Sequence, residues 1–472
     1  MSAKTVNQNF STVLAKAVRD YLKDPGGDTF YAAVSFPQRQ DFVDYSGWDD
    51  SDAEGVYQRA DSDISSLDEI FYSRHTISLH KLYAGGVSRI SKRQDWTYGK
   101  FYKAWPEESS HIVVKSFSGG SARLDVYRCL FSPLTPSTIA PTDRVFSAIY
   151  TADNYVWKYL YTISDAEAIL FMNENWIPVP EKISATDASS TSPGSVRYQQ
   201  YLIQKNAVYG ELYNIEINQA STDSDILQLV SNSGTTLSVK AHDLSGNTPS
   251  VYAEFKLKYS TEYSKILPEL VTIGKGYVGP FEFRKNDGTA VAGLSTTLPN
   301  GNGHGADLPE EMKADHVMAV IRNVPENLIS HLTNKNAFNV VSLVRNPVDT
   351  LTKKVGTKNH YVACRSFDVE SNTFSINDEL EIGGVGSTTT VRVVNVKDKK
   401  VYYVNLKDES NVVSVGTLVN LKGSTSTTKV TAVYDREVIF NSFNHIVVDV
   451  KPSRIIRASD QTESFSFIIK FN

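Results

Sequence analysis

Over residues 155–163, Tyr-Val-Trp-Lys-Tyr-Leu-Tyr-Thr-Ile, large side chains recur at every second position. A period of two belongs to an extended strand, whose side chains point alternately to opposite faces. Tyr155, Trp157, Tyr159, Tyr161 and Ile163 are therefore expected on one face. A row of rings this large has to be covered, by a core or by another subunit, and reads less well as an open sugar platform. Trp157 is expected to be buried.

The rest of the chain fits a β-rich fold. A helix is expected from Asn9 or Ser11 to Leu22, with Phe10, Val13, Leu14, Ala17, Val18, Tyr21 and Leu22 on one stripe and Asp24-Pro25-Gly26-Gly27 as its stop. Strands are expected at Thr29 to Phe36, Ile77 to Leu82, Ile112 to Val114, Ala122 to Leu130 and Glu463 to Phe471. Residues 37–70 read as a polar, acidic loop with a short helix near Leu67 to Phe71. Residues 184–196 read as a linker, and 198–285 as alternating strands with turns. Residues 286–310, with Asn300-Gly301-Asn302-Gly303-His304-Gly305, read as a surface loop. A helix is expected from Asn327 to Asn334. Gly386-Ser387-Thr388-Thr389-Thr390-Val391 is echoed by Gly423-Ser424-Thr425-Ser426-Thr427-Thr428-Lys429-Val430, which suggests a small barrel or sandwich of short strands.

Strands follow one another without regular helical crossovers, so antiparallel sheets are favoured. The expected fold is mainly β: an antiparallel β-sandwich core with a few short helices and an inserted small β domain. Its segments are 1–200, the N-terminal part of the sandwich, and 201–345, an extended β region with the Gly/Asn-rich loop. Residues 346–440 form the small β domain, and 441–472 supply the returning C-terminal strands.

Bulk composition narrows the function. The net charge of -5 offers no basic field for nucleic acid, and Lys397-Asp398-Lys399-Lys400 is too short for a binding arm. Cys129 and Cys364, the two cysteines, make neither a disulfide framework nor a zinc site. The first residues lack an export core, and no apolar run approaches the roughly 18 residues of a membrane span. A soluble protein made in a cytosol is expected.

Local motifs point to little chemistry. Gly274-Lys275-Gly276-Tyr277-Val278-Gly279 matches G-x-G-x-x-G, but strand-like Pro280-Phe281-Glu282-Phe283 follows where a phosphate site needs a helix. A β-turn is expected. Asp50, Asp52, Glu54 and Asp61 have the alternating oxygen ligands of a calcium loop, without a flanking helix or the terminal Glu, so a solvated acidic loop is the plainer reading. The nine histidines are scattered, with His304 and His316 near Asp307 and Asp315. No nucleophile elbow is present, and the acid pairs Glu107-Glu108 and Glu310-Glu311 are adjacent and diverge. No catalytic residue, metal or cofactor is expected.

Several segments, taken in order, carry a resemblance to a known family. These are the N-terminal helix with the strand Phe30 to Phe36, then Ser91-Lys92-Arg93-Gln94-Asp95-Trp96, Asp125-Val126-Tyr127-Arg128-Cys129-Leu130 and Asp153-Asn154-Tyr155-Val156-Trp157-Lys158-Tyr159-Leu160. Trp176-Ile177-Pro178-Val179-Pro180-Glu181 and Asp460-Gln461-Thr462-Glu463 with its apolar strand complete the series. In this order they resemble the gene-eight baseplate wedge subunits of T-even-type contractile-tailed phages, with motif positions Arg93, Asp95, Trp96, Tyr127, Arg128, Tyr155, Trp157 and Tyr159. The resemblance covers roughly residues 10–215 and 445–472, and the region between is larger than its counterpart in the family.

The resemblance implies a β-sandwich subunit that forms a homodimer, contacts wedge proteins of the gene-six, gene-seven and gene-ten types, and transmits rearrangement as the tail contracts. It implies no catalysis, cofactor, nucleic acid or membrane, and a place in the virion baseplate after assembly in the host cytoplasm. A receptor- or glycan-binding tail protein is the alternative reading, and a polysaccharide-degrading tail enzyme a third.

Overall fold

β-Branched and aromatic runs become strands along most of the chain, and helices stay few. A computed structural model describes residues 3–24, 26–35, 72–118, 121–189, 192, 195–232, 234–299, 302–323, 340–406, 410, 412–450 and 463–471. The fold is mainly β, and the strand pairs described are antiparallel. It has two units: Met1–Arg19, Ser88–Met318 and Ile469–Asn472 form one, Asp20–Val87 and Ala319–Ile468 the other.

In the first unit, one sheet runs in the order His111–Ser118, Ser121–Phe131, Val156–Ile163, Ile149–Tyr150. A second runs Lys265–Thr272, Glu254–Ser260, Thr236–Asp243, Phe281–Arg284. Leu130, Phe131 and Val156 of the first sheet share a core with Phe255, Leu257, Ile266 and Phe283 of the second. The strand Val87–Lys92 pairs with Trp176–Val179.

In the second unit, five strands run in the order His360–Val362, Thr76–Lys81, Phe30–Ser35, Val340–Arg345, Asn444–Val450. Phe30–Ser35 is central and buried on both faces, which its near-continuous apolar sequence permits. Between the strands His360–Val362 and Asn444–Val450, the chain builds a closed six-stranded barrel. The barrel order is Arg365–Val369, Lys400–Asn405, Thr390–Lys397, Glu379–Ile382, Leu418–Leu421, Thr427–Tyr434, and it closes where the last strand pairs with the first. Phe367, Leu380, Val393, Val401 and Val430 fill its interior. The two Gly-Ser-Thr echoes each lead into a barrel strand, with Gly386 and Gly423 at positive φ in the preceding turns. A small barrel of short strands is one of the two forms that the repeat suggested, and it lies within the second unit.

Two sequence expectations change, and the first helix takes a direction that its stripe left open. The N-terminal helix spans Ala3–Lys23, but Ser11, Ala15 and Leu22 are its buried residues, while Phe10, Val13, Leu14 and Tyr21 are exposed. Most of the apolar stripe therefore faces outward, with Leu22 turned in and Val18 half-buried. The linker read over 184–196 contains a short helix, Ala185–Ser189. The region read as strands from 198 holds the helices Val196–Lys205 and Ser224–Ser231. Each of these two is started by a side-chain cap: the Ser195 hydroxyl accepts from the Tyr198 N–H, and the Asp223 carboxylate from that of Asp225. Polar alternation hid their helical stripes, which bury Gln200 and Ile203, and Ile226 and Leu229. The helices expected near 67–71 and over 327–334 lie outside the described residues; residues 72–75, directly after the first, are helical and lead into the strand Thr76–Lys81. No helix among the described residues is long and apolar enough to cross a membrane.

The five-stranded sheet buries imidazoles. His80 Nδ1 lies 3.0 Å from His360 Nδ1, and its Nε2 lies 3.1 Å from the Ser78 hydroxyl. His445 sits between the hydroxyls of Ser342 at 3.0 Å and Ser73 at 3.4 Å. Burial, then His360, holds His80 down to about 3, and burial holds His445 down to about 4. Both stay neutral in the fold but take up protons when unfolded. Their contribution to stability is therefore complete above the ordinary value of 6.5 and is lost as pH falls from there toward 4 and 3. At pH 5 each histidine should cost the second unit roughly 2 kcal/mol. In denaturant titrations, His445→Gln should flatten the fall in stability between pH 6.5 and 5; an unchanged slope would show that His445 does not carry it.

Candidate functional site

The paired strands Ser121–Phe131 and Val156–Ile163 carry most of the motif residues. Their register slips twice. Val126 faces Tyr161 and Tyr127 faces Tyr159, so Leu160 is an extra residue; Cys129 faces Trp157 and Phe131 faces Val156, so Leu130 is another. Each bulge shifts the alternation by one. Tyr155, Trp157 and Tyr159 join one buried cluster with Tyr102, Tyr127, Ile112 and Val114. Tyr161 and Ile163 join a different one, with Val126, Ile177 and Val179. The single face expected for all five residues is thus split at Leu160.

The aromatic cluster is tightly interlocked. Tyr155 and Trp157 stack with centroids 5.3 Å apart, and Tyr127 meets Tyr159 edge-on at 5.7 Å. The Tyr155 hydroxyl donates to the Thr135 carbonyl at 2.6 Å and accepts from the Tyr102 N–H at 3.2 Å. Burial pushes the Tyr155 and Tyr159 phenols up to about 12. They are neutral packing groups, and Trp157 is fully buried among them.

The segment 93–96 clamps the edge of this sheet. Arg93 holds Asp95 through two hydrogen bonds, Nε at 2.8 Å and Nη2 at 2.6 Å, and gives a third to the Asn173 carbonyl at 2.8 Å. The Trp96 N–H donates to the Val113 carbonyl, and its indole donates to the Ser137 hydroxyl at 3.2 Å.

Arg128 is the least expected residue of the group, because it is fully buried. Its Nη1 donates to the Ser110 hydroxyl at 2.6 Å, its Nε reaches the Glu311 carboxylate at 3.4 Å, and its Nη2 donates to the Glu311 backbone carbonyl. The guanidinium also lies 5.1 Å from the centre of the Trp105 ring. Glu311 in turn takes hydrogen bonds from His304 Nδ1 at 2.8 Å and from the Gly305 N–H. Burial alone would raise the Glu311 carboxyl; His304, Arg128 and the Gly305 N–H together bring it down to about 2. Lys158 stands opposite Arg128 in the register and donates to the Phe146 carbonyl, with burial pulling its ammonium down.

A four-residue helix, Leu308–Glu311, delivers the carboxylate. Asp307 caps it by accepting from the Glu310 N–H, and Pro309 fits its first turn. The preceding Gly-rich segment is not the surface loop expected: Gly303, His304, Gly305 and Ala306 are buried. Gly303 has φ of 100°, and a Cβ there would run into the Val208 carbonyl, so glycine lets the strap close over the ion pair. His304 bonds Glu311, seven residues on, rather than the nearby Asp307. A cleft of about 110 Å³ opens beside the strap, with Trp105, Lys182, Asp307 and Glu310 in its lining. It is well below the roughly 300 Å³ at which small-molecule sites begin.

The remaining motifs are structural where they are described. Gly274 exchanges both backbone hydrogen bonds with Leu212, Gly276 and Gly279 have positive φ, and the strand Phe281–Arg284 follows, so G-x-G-x-x-G is a turn. The buried Tyr277 hydroxyl donates to the Ala241 carbonyl at 2.8 Å and accepts from the Ala253 N–H at 2.9 Å. Burial raises both thiols, Cys129 far up and Cys364 to about 12, so neither is an activated nucleophile. Asp50, Asp52, Glu54 and Asp61 lie outside the described residues. Among the described residues, no three His, Cys, Asp or Glu side chains are placed to hold a metal ion.

Sequence reading named Arg128 but missed its partners Glu311, His304 and Ser110. The Asp307-Leu308-Pro309 start signal could have located the short helix; nothing local marks Glu311 as buried. No protein-family model matches this chain, and no curated protein does.

The site generates two tests of stability. Glu311→Gln should cost about 3–5 kcal/mol in denaturant unfolding, because it leaves a buried guanidinium without its counter-charge. A loss below about 1 kcal/mol would show that the pair is dispensable. Trp157→Ala should cost on the order of 3–5 kcal/mol through the cavity it opens, and an unchanged melting temperature would contradict its place in the core.

Proposed function

We propose that this protein is a structural subunit of a contractile phage tail, a baseplate wedge protein that holds neighbouring wedge subunits together and takes part in baseplate rearrangement. One observation carries the reading. The family-like segments 91–96, 125–130, 153–160 and 176–181 fall on a single framework in the first unit, the sheet of strands Ser121–Phe131 and Val156–Ile163 with its flanking clamps. The strand Phe30–Ser35 of the same series lies in the second unit.

The chemistry of that framework favours a scaffold. Its arginines, carboxylates and rings are engaged with one another, so they supply rigidity and shape. A scaffold needs preorganised faces for its neighbours and no reactive constellation. The glycan-binding alternative loses the two rings that would best serve it, because Trp157 and Tyr277 are both fully buried.

In this reading the chain pairs with a second copy and with wedge proteins of the gene-six, gene-seven and gene-ten types. It needs no cofactor, and it works in the tail baseplate after assembly in the host cytoplasm. Light scattering on the purified chain should give twice the chain mass. Co-expression with the neighbouring wedge proteins should give one co-eluting complex. A strict monomer that joins none of them would overturn the proposal.

A further inference from the structure

The six-stranded barrel is strung between the two edges of the five-stranded sheet. The chain leaves the edge strand His360–Val362, builds the barrel from Arg365 to Tyr434, and returns to the opposite edge strand, Asn444–Val450. An edge strand has one neighbour, so it detaches more readily than the central strand Phe30–Ser35.

Each edge is fastened by a buried imidazole. At the first, His80 Nδ1 meets His360 Nδ1 at 3.0 Å. A contact between two ring nitrogens has room for one proton, so two charged rings cannot share it. Ser78 lies at the other nitrogen of His80, and the Phe465 ring packs against the imidazole. Glu437, a carboxylate at this edge, is taken by Lys358 at 3.1 Å and by the Val362 N–H at 2.7 Å. Lys358 also lies 3.8 Å from Asp349, and Lys81 donates to the Thr357 carbonyl. At the second edge, His445 reaches Ser342 on the neighbouring strand and Ser73, with the rings of Tyr72 and Phe443 beside it. Arg74 and His75 are buried on the segment that supplies Tyr72 and Ser73, and both are basic, so neither offers a counter-charge. Among the described residues, no carboxylate bonds to His80 or His445.

We propose that these two imidazole contacts make the attachment of the barrel acid-sensitive: protonation of His80 and His445 releases the edge strands His360–Val362 and Asn444–Val450, while the barrel between them stays folded. The barrel has its own interior of Phe367, Leu380, Val393, Val401 and Val430. Residues 365–434 contain no histidine, so mild acid leaves that interior alone. Once an edge opens, its imidazole returns to the ordinary value of 6.5 and takes up a proton below it. The open population of each edge therefore rises about tenfold per pH unit below 6.5. The device does not depend on the wedge reading.

Hydrogen–deuterium exchange of the full chain from pH 7.5 to 5, corrected for the intrinsic pH dependence of amide exchange, tests it. Protection of residues 359–362 and 445–449 should fall about tenfold per pH unit below 6.5. The barrel strands Thr390–Lys397 and Lys400–Asn405 should keep theirs, and Phe30–Ser35 should stay better protected than either edge. Barrel strands that lose protection in step with the edges, or a central strand no better protected than they are, would mean general unfolding and overturn the inference. Edges indifferent to pH overturn it as well. His445→Gln should abolish the pH dependence at 445–449 and leave that at 359–362; a retained slope at 445–449 contradicts the assignment. Should this variant fail to fold, the wild-type profile decides by itself.

Discussion

The buried ion pair between Arg128 and Glu311 is the constraint around which the first unit is organised. A guanidinium inside a sheet is tolerable only if a counter-charge and hydrogen-bond acceptors surround it. Ser110, the Glu311 carboxylate, the Glu311 carbonyl and the Trp105 ring meet that need. Supplying them requires the short helix Leu308–Glu311, its Asp307 cap and a glycine strap flexible enough to fold over it. A strand residue near position 128 thereby fixes chain almost two hundred residues later.

The bulges matter for the same reason. The slip at Leu160 separates Tyr155, Trp157 and Tyr159 from Tyr161 and Ile163, so the central strand pair packs rings on both sides. The strand Val156–Ile163 is then buried on both faces. In the proposed role, what such a unit offers a partner is its shape and the apolar side chains left outside, Phe10, Val13, Tyr98 and Ile169 among them. This is the physical content of a scaffolding role: rigidity from internal pairing, adhesion from what remains exposed.

Strand positions and the overall class were legible because their cause is local. A period of two, β-branched residues and Gly-Ser turns mark the strands 156–163 and the barrel. The stripe of the first helix was legible as well, but its direction was not, since hydrophobicity alone predicts burial and here Arg19, Arg89 and Glu181 set the rotation. The split of the aromatic row was hidden because a bulge leaves no mark in the alternation itself. The Gly/Asn-rich stretch read as an open loop because glycine signals conformational freedom equally well in a surface turn and in a strap pressed against carbonyl groups. The Arg128–Glu311 pair escaped entirely: the partners are far apart in sequence, and each alone looks like a surface charge.

For the proposed wedge role, the most direct measurement is a cryo-electron microscopy reconstruction of the intact tail of a phage whose genome encodes this chain. A scaffold subunit is expected as ordered density inside the baseplate, repeated with its symmetry, with the sheet of Trp157 closed off inside the subunit. Density for this chain at a fibre tip, or its absence from the tail, would contradict the assignment.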